Sequence, residues 1–251
     1  METVQAETVV GISTMRILRS STLALILSAC SIAALSVPAS AQVSAEISVN
    51  VAPPPLPAYE QPPIPGDNYI WVPGYWSWDQ AEADYYWVPA TWVEAPQPGL
   101  LWTPSYWSWN DSAFVFIPGY WAPQVGFYGG IDYGYGYTGN GYQGGRWENG
   151  NFYYNRTVNN IANVNIRNVY NKTVAVNTTN YVSYNGGNGG IEARPTPEQQ
   201  AAAKERHIQA TALQTRQAEA ASKNRELFSK QNHGQPTVAA TSKRELSRGR
   251  A

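Results

Sequence analysis

Cysteine, histidine and net charge are scarce in this sequence, and each scarcity removes a class of chemistry. The one cysteine, Cys30, falls in an N-terminal apolar run; a chain processed beyond it has no disulfide, no thiol nucleophile and no thiolate metal site. The two histidines, His207 and His233, sit in a C-terminal segment of helical composition or at its end. A Ser-His-Asp or metal site therefore has no imidazole on the rest of the chain. Formal net charge is −1. Residues 42–190 hold ten acids and four bases, and residues 191–251 hold six acids and eleven bases. This weak, uneven balance is not the basic face that nucleic acid needs. The Gly-rich run lacks the Lys and the following helix of a phosphate cradle. No cofactor, no metal and no catalytic residue is expected. Five carboxylates (Asp79, Glu82, Asp84, Glu94 and Asp111) fall in hairpin loops, where a glycosidase pair could stand; the plainer reading is acids that keep a sheet edge soluble.

What the chain has in abundance is tryptophan and tyrosine, set in a repeat. A ten-residue phrase occurs four times: YIWVPGYWSW from Tyr69, YYWVPATWVE from Tyr85, LLWTPSYWSW from Leu100 and FVFIPGYWAP from Phe114. The third position is aromatic, the fifth is Pro, the sixth is small and the eighth is Trp. A period of about 15 residues suits one strand plus one turn rather than a helical solenoid. The loops are too short for parallel crossovers, so neighbouring phrases should pair antiparallel. The Pro–small pair predicts a bulge, and one extra residue there would bring Trp71 and Trp76 to a single face. Opposed residue numbers in an antiparallel pair add to a constant. Three registers then align two aromatic rungs, Trp71–Trp92–Trp102–Trp121 and Trp76–Trp87–Trp107–Phe116. The expected fold is mainly β: an antiparallel aromatic-repeat meander, either open or closing into a small barrel. The rungs read as core, with Tyr75, Tyr106 and Tyr120 on the opposite face as a candidate exposed platform for stacking sugar rings.

Around the repeats the composition shifts repeatedly. Arg16 and Arg19, an apolar run from Leu23 to Val37 and Ala39-Ser40-Ala41 have the layout of a secretory signal over residues 1–41, with Met15 as the expected start. Leu27-Ser28-Ala29-Cys30 resembles a lipobox, but the apolar run continues past it, which favours cleavage before Gln42 over lipidation at Cys30. Residues 42–68 form a Pro-rich, polyproline-like arm. Residues 69–156 hold the repeats and a Gly/Tyr-rich extension, in which Tyr133, Tyr135 and Tyr137 alternate with Gly. Asn149-Gly150 between Trp147 and Phe152 is a hairpin signal, and Gly145-Arg146-Trp147 looks like a fifth, degenerate copy. An Asn/Gly-rich tract over 157–190, including Val164, Ile166, Val174 and Val176, is weakly strand-like and partly disordered. Thr196-Pro197-Glu198-Gln199 is a capping box opening one long polar helix within 191–234. Its sparse apolar residues (Ile208, Leu213, Leu227 and Phe228) make no seam, so the helix should project or dock weakly. Residues 235–251 read as a basic disordered tail.

Trp71-Val72-Pro73-Gly74-Tyr75-Trp76 and Phe116-Ile117-Pro118-Gly119-Tyr120-Trp121 resemble the YXWGXW (or WXXGXW) repeat family of exported Gram-negative bacterial proteins. Ala90 and Ser105 depart from its Gly. The resemblance extends through the Gly/Tyr segment and ARPTPEQ from Ala193. It implies an exported, non-enzymatic structural or interaction protein of the cell envelope, in the periplasm or at the outer membrane, and carries no site residues with it. The alternative is a glycan- or polysaccharide-binding module. Expected partners are an envelope polysaccharide or another envelope protein, with no nucleic acid and no transmembrane span after signal cleavage.

Overall fold

Proline has no N–H to give a β-ladder, and in all four phrases the strand stops at it. The computed structural model describes residues 47–162, 165–175 and 181–242. A short strand, β1 (Ser48–Val49), leads in, and each phrase then forms two strands flanking its Pro. These are β2 (Tyr69–Val72) with β3 (Tyr75–Asp79), β4 (Asp84–Val88) with β5 (Ala90–Glu94), β6 (Leu101–Thr103) with β7 (Tyr106–Trp109), and β8 (Phe114–Ile117) with β9 (Tyr120–Ala122).

Phrases pair two by two. Every opposed pair in β2–β5 and β3–β4 adds to 163, including Trp71↔Trp92 and Trp76↔Trp87. Every pair in β6–β9 and β7–β8 adds to 223, including Trp102↔Trp121 and Trp107↔Phe116. The sum does not change across the break, so the expected bulge is absent. Continuing the register sets Pro73 opposite Ala90, Gly74 opposite Pro89, Pro104 opposite Gly119 and Ser105 opposite Pro118. Both strands of a hairpin are interrupted at the same rung, and no residue is left over. Positions five apart then point to opposite faces, because side chains alternate with period two. The two rungs accordingly belong to separate cores. Trp71, Trp92, Trp102 and Trp121 lie in the larger, while Trp76, Trp87 and Trp107 lie in the smaller, with Phe116 packed against it.

The middle register, Trp92 opposite Trp102 and Trp87 opposite Trp107, does not form. Pro96 and Pro98 lie in the connection, and the free edge of β5 is taken by another segment described below. The two bent hairpins meet by packing rather than as one sheet: Trp107 Nε1 donates to Trp76 O at 2.8 Å, and Tyr75 stacks on Phe116. Among the described residues the strands form small sheets of two to four, and no barrel closes.

The Gly/Tyr segment folds back rather than running extended. Gly134, Tyr135 and Gly136 all have positive φ, so β10 (Asp132–Gly134) turns onto β11 (Tyr137–Thr138), and Tyr133 and Tyr137 enter the larger core. Next come β12 (Gly145–Glu148) and β13 (Asn151–Asn155), a hairpin turned by Asn149 and Gly150 with Trp147 opposite Phe152. In the Asn-rich tract, β14 (Val169–Tyr170) adds parallel to β13, and β15 (Tyr184–Asn185) adds parallel to β7. Side-chain amides replace ladder bonds there. Buried Asn155 donates to the carbonyls of Gln143 and Lys172 and accepts from Lys172 N–H. Ile166 is buried; Val164 and Val176 lie outside the described residues.

The long helix is replaced by α1 (Pro197–Ala202), α2 (Ala212–Ser222), a 3-10 turn at Arg225–Leu227 and α3 (Ser229–Asn232). Both longer helices open on a capping box, Thr196 with Gln199 and Thr211 with Gln214. Between them the chain is extended, and Ile208 exchanges backbone hydrogen bonds with Trp121 at 2.8 and 2.9 Å. The segment is firmly docked: Ala221, Leu227 and Phe228 bury against Tyr86 and Val88. The expected tail is also partly ordered, since β16 (Ala240–Thr241) pairs parallel with Ala90–Thr91 of β5. The expected export signal and Cys30 lie outside the described residues. No described helix is long and apolar enough to cross a membrane.

Packing also explains where the phrase needs Gly and where Ala or Ser serves. A Cβ on Gly74 would stand 2.3 Å from the Trp87 ring, and one on Gly119 would stand 2.5 Å from the Trp102 ring. Gly145 meets Phe152 in the same way, at 2.4 Å. We expect Gly74→Ala and Gly119→Ala each to destabilise by about 1–3 kcal/mol through overpacking. Gly66→Ala, whose Cβ would meet nothing closer than 3.7 Å, should stay within about 0.5 kcal/mol. Equal melting of all three variants would contradict this account.

Candidate functional site

The four cross-strand pairs that make up the two rungs are held at the same separation. Ring centroids are 5.2 Å apart in Trp71–Trp92, Trp76–Trp87, Trp102–Trp121 and Trp107–Phe116. The six Trp residues 71, 76, 87, 92, 107 and 121 are essentially fully buried, Trp102 is buried and Phe116 is half-buried. An indole N–H is a donor only and loses water on burial, so it needs an acceptor, and the strand carbonyls that face a partner strand are committed to their ladders. For four of these indoles the acceptor comes from outside the hairpins, whereas Trp107 donates to Trp76 O and, among the described residues, Trp71 Nε1 is left without an acceptor. Trp76 donates to Pro55 O at 3.0 Å and Trp92 to Pro62 O at 2.8 Å, both on the Pro-rich arm. Trp87 donates to Ala239 O at 2.9 Å, and Trp121 donates to Gln214 Oε1 of α2 at 2.9 Å. Tyr137 OH lies 3.2 Å from Trp71 O and 3.0 Å from Trp102 O, bridging equivalent positions of the two hairpins.

The proposed platform is not exposed. Tyr75, Tyr106 and Tyr120 are each half-buried. Tyr75 stacks on Phe116, Tyr106 meets Phe127 edge-on and Tyr120 lies 4.3 Å from the His207 ring. Burial, and then the neighbouring Tyr120, pushes the Tyr106 phenol up to about 12. The covering comes from the second hairpin over Tyr75, from residues 127–129 over Tyr106 and from His207 over Tyr120.

The loop acids hold backbone. Asp79 and Asp84 are directly opposed across the first hairpin. Asp79 Oδ1 accepts the N–H groups of Ala81 and Glu82, both at 2.9 Å. Buried Asp84 accepts from Tyr85 N, from Ser229 Oγ at 2.6 Å and from Lys230 N at 3.0 Å. Glu82 meets Arg225 in an exposed ion pair, Asp111 occupies a left-handed turn position, and Glu94 is exposed. His207 is outside any helix, and His233 takes a left-handed conformation at the end of α3. Among the described residues no group of His, Cys, Asp and Glu is placed to hold a metal ion.

Beside the bend of the first hairpin lies a cleft of about 490 Å³. It is formed where the arm (Leu56 to Tyr59), Gly74, Trp87, residues 132–135, residues 157–160 and Tyr181 converge. Of these lining residues only Trp87 was singled out from sequence, as part of a rung; the others outside the repeats come from segments of biased composition that meet only in the fold. A smaller cavity of about 210 Å³ lies between the two bends, beneath α2.

The fold and the aromatic array together define a β protein built from tandem Trp-rich hairpins. The WXXGXW repeat matches the chain twice, over residues 66–93 and 98–122, so the chain carries two copies of that repeat. Each copy spans two of the four phrases, which is one bent hairpin. No curated protein and no solved structure matches the chain.

Two measurements follow. Trp92→Ala removes a core ring and its bond to Pro62 and should cost about 3–5 kcal/mol; Trp78→Ala, half-buried near the hairpin tip, should cost far less, and equal losses in thermal melts would refute the ranking. Burial raises the phenols of Tyr133 and Tyr137 well above their ordinary value of 10.0. A raised phenol holds its proton in the folded chain and releases it in the unfolded one. Its contribution is whole below pH 10 and is lost as pH climbs toward the folded value, at about 1.4 kcal/mol per pH unit for each fully buried tyrosine. An ultraviolet phenolate titration should therefore show most tyrosines ionising only as the chain unfolds above pH 10. Smooth ionisation of all tyrosines near 10 with the fold intact would contradict that.

Proposed function

We propose that this chain is an exported, non-enzymatic structural or interaction protein of the cell envelope. The observation that supports it best is how the aromatic residues and the loop acids are used. The rungs are consumed in holding two hairpins, an arm and a C-terminal segment together. Asp79 and Asp84, the one pair of opposed carboxylates among the described residues, each accept two or more backbone or hydroxyl donors. Both carboxylates are thereby engaged in holding the first hairpin tip and the start of α3. The reading of export rests on the charged, apolar and A-x-A order of residues 16–41.

Mass spectrometry of the mature protein from a periplasmic fraction is expected to find Gln42 at the N-terminus. A lipid-modified Cys30, or an uncleaved cytoplasmic chain, would contradict that. Incubation with peptidoglycan and neutral polysaccharides should release no reducing ends. Release that disappears in Asp79→Asn or Asp84→Asn would overturn the non-enzymatic reading.

A further inference from the structure

We infer that the cleft beside the first hairpin binds a short, uncharged oligosaccharide, an assignment that rests on the reading of the chain as an interaction protein. At about 490 Å³ the cleft is of the size that small-molecule sites take, roughly 300–1,000 Å³. Its walls combine aromatic rings with uncharged polar groups. Tyr59 and Tyr135 stack at 5.5 Å with 23° between their planes, and Tyr135 OH is anchored on Tyr59 O. Tyr181 lies at the cleft too, and 48 % of its surface is exposed. Broad rings of this kind fit the C–H faces of pyranose rings, while amides and hydroxyls fit their hydroxyl rims.

The polar wall is built before any ligand arrives. Asn160 gives its backbone N–H to Gln61 Oε1 at 2.7 Å and its Nδ2 to Gln61 O at 2.8 Å, which fixes the amide. Among the described residues no hydrogen bond takes up its Oδ1, and the residue is exposed at the cleft. Thr157 is also exposed there, its hydroxyl held by Asn155 Oδ1 and Lys172 O. A wall fixed in this way loses little entropy on binding.

Charge selects among ligand classes. Among the described residues no Lys, Arg or His lines the cleft, so phosphates and uronic acids would meet no cation from them. Asp132 is the one carboxylate at the cleft among the described residues, and its Oδ1 accepts Gly134 N–H at 2.9 Å in a local turn. A neutral polyhydroxylated ring system satisfies the rings and the amide together. The convergence of five separated segments on one cleft also gives the least regular parts of the chain a reason to be ordered there.

The test is calorimetric titration of the full processed chain with maltotetraose, cellotetraose, laminaritetraose and chitotetraose, with tetragalacturonate and choline as charged probes. At least one neutral sugar should bind, and more tightly than either charged probe. Tyr181→Ala should weaken it about two- to twelvefold, the range of one aromatic contact. Tyr181→Phe should keep the affinity, and exposure of the residue predicts an unchanged melting temperature for both variants. No binding of any neutral sugar, binding indifferent to Tyr181→Ala, or preference for choline or tetragalacturonate would each overturn the assignment. Those failures leave the non-enzymatic reading standing, whereas shortening of the titrated sugars would overturn that reading and keep the cleft.

Discussion

A buried indole N–H that has left water requires an acceptor to recover its lost hydrogen bond. Trp76, Trp87, Trp92 and Trp121 find theirs outside the hairpins, while Trp107 finds Trp76 O and Trp71, among the described residues, finds none. Most of the tertiary structure follows from that one requirement. Extended Pro-rich backbone leaves its carbonyls unpaired, and Pro55 and Pro62 offer theirs to Trp76 and Trp92. At the other end of the chain Ala239 offers its own to Trp87, while the neighbouring Ala240–Thr241 pairs along the edge of Ala90–Thr91. The same contacts cover strand edges that would otherwise invite pairing with another chain. Arm, repeats and C-terminal segment are thus joined by donors of one kind and acceptors of another.

The Pro–small break gives each hairpin two faces of use. Because the break falls at the same rung on both strands, the hairpin bends without losing register, and the odd spacing sends one aromatic pair to each core. The small residue is Gly where a partner indole lies against the backbone, as at Gly74 and Gly119, and can be Ala or Ser on the opposing strand. Two such hairpins pack as equivalents, with Tyr137 between the carbonyls of Trp71 and Trp102. Hairpin tips are closed alike, by Asp79 in the first and Asn110 in the second, each accepting two backbone N–H groups of its loop.

The segments of biased composition are ordered by side chains that imitate backbone. Asn155, Asn159 and Asn185 each donate to two or more carbonyls, making up for ladders that two-residue strands cannot supply. Such bonds leave no periodic trace in a sequence, so the tract reads as weak strand at best. The C-terminal segment was more legible than its composition suggests. Thr211-Ala212-Leu213-Gln214 repeats the capping box of Thr196 to Gln199 and marks a second helix start, and Leu227 and Phe228 are the residues that bury.

By itself the sequence determined the repeat, its antiparallel pairing within each two-phrase unit and the register that sets Trp71 against Trp92 and Trp102 against Trp121. These depend on spacing and on the alternation of side chains along a strand, both local properties. It also determined the Asn149-Gly150 hairpin and the scarcity of groups for metal or nucleophilic chemistry. Tertiary structure alone decided that the second and third phrases do not pair, since the edge of β5 is taken by residues about 150 positions further on. It decided that Tyr75, Tyr106 and Tyr120 are covered, and that Tyr59, Tyr135, Asn160 and Tyr181 share a cleft. Such outcomes depend on which distant carbonyl or edge satisfies a buried donor, and that competition is settled only when the whole chain has packed.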